Sequence, residues 1–285
     1  MSEVLMALSQ LAVLTFVLTS MIGMGLSLTV TQIVEPLRNV GLVLRSLLAN
    51  FVVVPLAAYG ILAVVPLDDA LGVGLVLLAT AAGAPFLPKL VEVAKGDAAF
   101  GVGLMVLLMV VTVAYVPLVL PLLLPGVEVA PRDIASSLVV LMLIPLAVAL
   151  AVRARYPGVA ATVQPIMARA SSFALSLLMV LVVVQAFDAL IGVIGTGAIV
   201  ALLMLIVVAF AAGYLLGGDP ATRGVLALGT AQRNISAALV VGAQNFPDPD
   251  VVIMLVVGAL LMLLGLMVAS GELARRTVPR VEPAA

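Results

Sequence analysis

The chain has 285 residues, 65% of them hydrophobic and 9% charged, with a mean hydropathy of +1.37 and a formal net charge of −1. A water-soluble domain carries about 25% charged residues, so the composition fits a lipid bilayer as solvent. Cysteine and histidine are absent, which excludes disulfides, thiolate or imidazole metal sites, and chemistry that needs either side chain.

In chain order, nine membrane segments are predicted, at 5–29, 40–65, 70–94, 97–125, 133–153, 165–190, 194–217, 221–245 and 249–272. Each reaches the ~20 residues that a spanning helix needs. Turn and charge clusters separate them, among them Glu35-Pro36-Leu37-Arg38, Lys95-Gly96-Asp97, Gly217-Gly218-Asp219-Pro220 and Pro247-Asp248-Pro249-Asp250. The N-terminus shows no basic region followed by a small-residue cleavage site, so Met1 is expected to begin the mature protein. No HExxH, Walker or GxGxxG pattern occurs, and the chain is not read as an enzyme.

The basic residues orient the segments. With the N-terminus outside, Arg38, Arg45, Lys95, Arg153, Arg155, Arg169 and Arg223 flank the inner loops, and Arg275, Arg276 and Arg280 lie in a cytoplasmic tail, 273–285. The outer loops then hold Arg132 alone among basic residues. This positive-inside bias predicts a multi-pass protein of the cell (inner) membrane, N-terminus out and C-terminus in.

Two segments depart from a plain apolar helix. In the third, Gly83, Pro85 and Pro88 fall close together, and a helix break is expected there. In the eighth, Gly229 precedes Thr230, Gln232, Arg233 and Asn234, a polar cluster in mid-segment, and a second helix break is expected there with Gly229 as a break residue. Arg233 stands about a dozen residues from each end, so roughly 18 Å of helix separates it from either surface. A charge at that depth costs about 2.5–3.5 kcal/mol on insertion scales unless it is paired or hydrated.

The two stretches superpose, Thr80-Ala81-Ala82 on Thr230-Ala231-Gln232 and Gly74 on Gly224, and each precedes one long apolar segment. Paired broken segments in inverted halves point to a secondary transporter's midplane site. The plainer alternative is that the prolines kink a packed helix and Gly229 allows close helix contact.

The residues that carry a family resemblance are Met21-Ile22-Gly23-Met24-Gly25-Leu26-Ser27-Leu28, Ala49-Asn50-Phe51-Val52-Val53-Val54-Pro55-Leu56, Ala94-Lys95-Gly96-Asp97 and Gln232-Arg233-Asn234. In this order and spacing the chain resembles the bile acid:sodium symporter family of secondary transporters. The resemblance implies an all-α polytopic membrane protein with panel and core domains and two inverted repeats. It also implies two discontinuous helices, crossing at the substrate and sodium sites. Residues 1–285 are then a single transporter domain of nine helices lacking the family's first, with repeats at about 5–125 and 133–272.

The family's sodium-site residues are replaced. Its Ser-Asn pair falls on Leu87 and Pro88, its Ser and Thr on Gly101 and Met105, and its Glu on Gly229. The Gln of its Gln-Asn pair falls on Arg233, and its Gln on the helix before the first crossing on Asn50. Sodium requires several hard oxygen ligands, which the side chains of Leu87, Gly101 and Met105 do not offer. Sodium coupling is therefore placed in doubt, and no other cofactor or metal is implied.

The expected function is secondary transport of a small organic anion by alternating access. A sodium-independent exporter or uniporter on the same fold, and a non-transporting membrane receptor or scaffold, remain alternatives. Membrane lipid is the expected surround; nucleic acid is not an expected partner. Arg233 is expected to supply the positive charge and to pair with the anion; the alternative is that carbonyls at the break, or a buried acid, hold it. Asn234, Gln232, Thr230, Asn50, Thr80 and Ser236 are candidate neutral hydrogen-bonding partners of the substrate. Lys89, Glu92 and Asp188 are candidates for coupling, with proton coupling through a carboxylate, or for ion pairing; Lys89 could equally snorkel to the inner surface.

Overall fold

The computed structural model describes residues 3–124, 132, 136, 138–185 and 192–277, and its regular structure there is entirely helical. The helices are α1 (Glu3–Ser27), α2 (Val30–Val34), α3 (Val40–Val64), α4 (Asp69–Thr80), α5 (Leu87–Val93), α6 (Ala98–Leu123), α7 (Ile144–Arg155), α8 (Pro157–Gln185), α9 (Ala198–Leu216), α10 (Pro220–Ala231), α11 (Ile235–Asn245) and α12 (Pro249–Thr277). Six helical stretches among the described residues are long and apolar enough to cross a membrane: Gln10–Ser27, α3, α6, α9, Pro220–Asn245 and Pro249–Arg276.

Helix starts follow local chemistry. Asn39 Oδ1 accepts from Leu42 N at 3.1 Å and Asp97 Oδ1 from Phe100 N at 3.0 Å, each side chain taking a donor that a helix start leaves unpaired. Thr29 and Gln32 form a reciprocal capping box on α2, a turn of helix inside what the sequence suggests is a loop. Proline opens α8, α10 and α12, at positions whose missing N–H breaks no helical bond. Residues 157–164, expected between segments, are helical. Tyr156 alone (φ −132°, ψ 67°) turns the chain from α7 into α8.

Pro55 shapes α3. Its missing N–H and its ring disturb the turn before it, and the helix widens to a π turn over Ala49–Val53. The Phe51 carbonyl, which Pro55 cannot bond, accepts instead from the Tyr115 hydroxyl of α6 at 2.7 Å. Asn50 sits in this wide turn, fully buried.

The helices form two layers. Helices α1, α7 and α8 pack together, and α3 to α6 with α9 to α12 form the larger body that holds most of the apolar core. Both discontinuous segments lie in that body. Residues 225–242 are buried throughout, so protein and not lipid surrounds the polar interruption. Non-helical backbone is tolerated at membrane depth on that condition.

Candidate functional site

The first discontinuous helix stops at Thr80 and resumes at Leu87; the second stops at Ala231 and resumes at Ile235. Gly83 occupies the first gap at φ +81°, and a Cβ there would lie 2.2 Å from Met109 N. Only glycine allows both that torsion and that approach of α6. Pro85 also lies in the gap. Pro88 does not: it falls in the first turn of α5, where a missing N–H costs no hydrogen bond.

Gly229 is likewise no break residue. It lies within α10, and a Cβ there would meet Leu104 Cδ2 at 2.8 Å and Leu87 Cδ2 at 3.0 Å. The second break falls instead on Gln232, Arg233 and Asn234.

The gaps satisfy each other's backbone. Asn234 N donates to Ala81 O at 2.9 Å, and Asn234 Nδ2 to Gly83 O at 2.9 Å. Asn234 Oδ1 accepts from Ala237 N at 3.0 Å and so caps α11 as well. Thr112 Oγ1 both accepts from Ala82 N and donates to Ala82 O, each at 3.0 Å.

Arg233 is fully buried at the centre of this arrangement. Nε donates to Leu78 O at 2.9 Å and Nη2 to Ala79 O at 2.7 Å, both in the last turn of α4. Nη1 donates to Thr230 O at 3.0 Å, in the last turn of α10, and to Asn50 Oδ1 at 2.8 Å. A cation thus sits at the partially negative ends of two helices and takes carbonyls that have no intrahelical partner. Four of its N–H groups are committed, out of the five that a guanidinium owns. No free pair remains for a bidentate grip on a carboxylate. Of the two expectations for Arg233, the geometry has carbonyls at the break holding it, in company with Asn50 and not with an acid.

The other candidates divide into those tied to this centre and those turned elsewhere. Asn50 Nδ2 donates to Thr230 Oγ1 at 3.1 Å and to Ser46 O at 3.0 Å, so Asn50 and Thr230 belong to the same network. Thr80 does not reach it; its hydroxyl donates back to Val76 O at 2.9 Å within its own helix. Lys89 pairs with Glu92, Nζ to Oε2 at 2.9 Å, one turn away on α5. Both are exposed, at 55% and 71% of their side chains. Asp188 lies outside the described residues.

A cavity of about 730 Å³ opens between the two layers. Its walls include Gln232, Arg233 and Ser236 at the second break, Pro85, Pro88, Lys89 and Glu92 at the first, and residues of α1 and α8 opposite. Gln232 Oε1 and Ser236 Oγ are buried and have no hydrogen-bond partner. Two cations, Arg233 and Lys89, and one carboxylate, Glu92, line the cavity among the described residues.

Sequence reasoning missed Thr112, Tyr115 and the hydroxyls of α1 and α8. Thr112 carried one legible signal, as a lone hydroxyl in the apolar run Leu107 to Val116 apart from Tyr115.

The model of the sodium bile acid symporter family matches residues 13–193. The chain belongs to that family. Membership makes it a multi-pass membrane protein of a transporter family, and the helical structure agrees. The match takes in the first broken helix and ends before the second, so the pairing of the two breaks rests on the hydrogen bonds above. No curated protein matches the chain.

Leu87 and Leu104 both pack on Gly229. Leu87 and Met105 are fully buried. Apolar side chains fill this neighbourhood.

Proposed function

We propose that the protein is a secondary transporter of a small organic anion that works without bound sodium. The observation that carries this reading is the Arg233 guanidinium, fixed among the carbonyl ends of α4 and α10. A permanent cation there supplies the positive charge that a coupling ion would otherwise bring. The apolar packing of Leu87 and Leu104 on Gly229 supports the same reading, because none of these side chains offers a cation an oxygen ligand.

Arg233 acts through its field more than by contact. Its committed donors hold the two breaks together, while its charge makes the cavity wall attractive to an anion. Gln232 and Ser236 line the cavity, each with a buried polar atom that has no partner, and they are the groups assigned to touch substrate. Asn50, Thr230 and Asn234 position them.

Alternating access follows as movement of α1, α7 and α8 against the body holding the crossing, around a fixed site. The cavity runs toward Ser27, Gln164, Lys89 and Glu92, the cytoplasmic side under the positive-inside orientation with the N-terminus out. This is an inward-open state of a nine-helix protein in the inner membrane, with the broken helices as equivalent members of two inverted repeats. Glu92, paired to Lys89 at the mouth, is the described cavity carboxylate able to carry a proton if a proton gradient drives transport.

The test is accumulation of a labelled anion, chosen by thermal-shift screening, in proteoliposomes. Saturable uptake above protein-free vesicles supports transport. Binding without uptake under any applied gradient would make the protein a receptor.

A further inference from the structure

The cavity has two walls of different chemistry. At the crossing stand Gln232 and Ser236, 6% and 1% exposed, with Oε1 and Oγ unpartnered. On the opposite wall, Thr19 and Ser20 of α1 and Ser171 and Ser176 of α8 line the space. The cavity-lining positions 164, 168, 171, 172 and 176 recur at helical spacing, so α8 turns one polar, small-residue face toward the crossing.

A serine inside a helix ordinarily bonds a carbonyl one turn back, as Ser172 does to Ala168 O at 3.0 Å. Ser20, Ser171 and Ser176 make no such bond among the described residues, and each lines the cavity. Hydroxyls that gain nothing from their own helix and face a cavity are hydrated when it holds water. A ligand that replaces this water keeps its affinity only if it reproduces the hydrogen bonds. The flat apolar face of a sterol or the chain of a fatty acid would strand them, at the cost of each buried unsatisfied group.

We infer that the cavity takes a polyhydroxylated carboxylate, an aldonate-type acid with hydroxyls along its carbon chain, in preference to an amphipathic or aliphatic carboxylate. The inference rests on the reading of the cavity as an anion site. The carboxylate faces Gln232 and Ser236 in the field of Arg233, and the hydroxyls face Ser20, Ser171 and Ser176.

Gluconate and hexanoate test this directly, since they share carbon count and carboxylate and differ in hydroxyls. Their binding to the purified full-length protein, with cholate as the amphipathic comparison, is measured by calorimetry and thermal shift. Gluconate is expected to bind roughly tenfold or more tightly than hexanoate, and Ser171→Ala with Ser176→Ala to reduce that ratio by about three- to tenfold. Alanine favours the helix, so the double variant should fold; if it does not, Ser20→Ala on α1 is read in the same way.

Hexanoate or cholate binding as tightly as gluconate overturns the assignment. So does a ratio that the serine variants leave unmoved, or failure of gluconate, threonate and glycerate all to bind. Gluconate binding without uptake supports this assignment while removing the transport reading. Uptake of hexanoate in preference to gluconate does the opposite.

Discussion

Arg233 Nη1 lies 2.8 Å from Asn50 Oδ1, which ties the interruption between α10 and α11 to the π turn of α3. The same nitrogen holds Thr230 O, and Asn50 reaches Thr230 Oγ1 with its other terminal atom. Three residues from two segments, Thr230 through both its hydroxyl and its carbonyl, thus close a ring at the centre of the protein. The predictions begin from this ring.

Arg233→Gln should lower stability by roughly 2–5 kcal/mol, because the carbonyls of Leu78, Ala79 and Thr230 are left without their charged donor. Arg233→Lys should recover little, since an ammonium is a point charge and cannot span four acceptors in one plane. Thermal unfolding in detergent measures both. Adding guanidinium at low, non-denaturing concentration to Arg233→Ala should raise its unfolding temperature relative to the same addition to wild type.

Asn50 and Arg233 should be coupled. Asn50→Ala and Arg233→Ala, singly and together, should deviate from additivity by about 1–3 kcal/mol in unfolding free energy. Additive effects would mean that the two side chains do not share one network.

Gly83→Ala should prevent accumulation of a monodisperse protein. The new methyl meets the α6 backbone at 2.2 Å from Met109 N, in a torsion region that alanine disfavours. Gly265→Ala, where a Cβ meets nothing within 4 Å, should leave the size-exclusion profile unchanged. Gly229→Ala falls between them, since its methyl would meet only the movable ends of Leu104 and Leu87.

Thr112→Val removes the hydroxyl that binds both polar atoms of Ala82 and changes little in volume. A loss of about 1–3 kcal/mol in unfolding free energy is expected, with faster hydrogen exchange at the Ala82 amide.

How far the sequence revealed the site depended on the kind of group involved. Arg233 was legible because a charge deep in an apolar segment demands an explanation. Its partners were not, because Leu78 and Ala79 act through carbonyls that every residue carries. The glycine ahead of the polar cluster suggests a second break at Gly229, but the helix runs on to Ala231. Gly229 serves close packing, and the break comes where the Arg233 side chain takes the last carbonyls. Thr80 and Thr230 matched in the superposition and then diverged: Thr230 meets Asn50, and Thr80 bonds its own helix. The hydroxyl face of α8 was readable as a periodicity but carried no single unusual residue, so it passed as ordinary helix.

The central claim is that Arg233 takes the place of a coupling cation. Its most direct test is the initial rate of uptake into proteoliposomes of the anion found by screening, with external sodium replaced by choline at constant ionic strength. The account predicts the same saturable rate in both salts; a rate that disappears without sodium would contradict it.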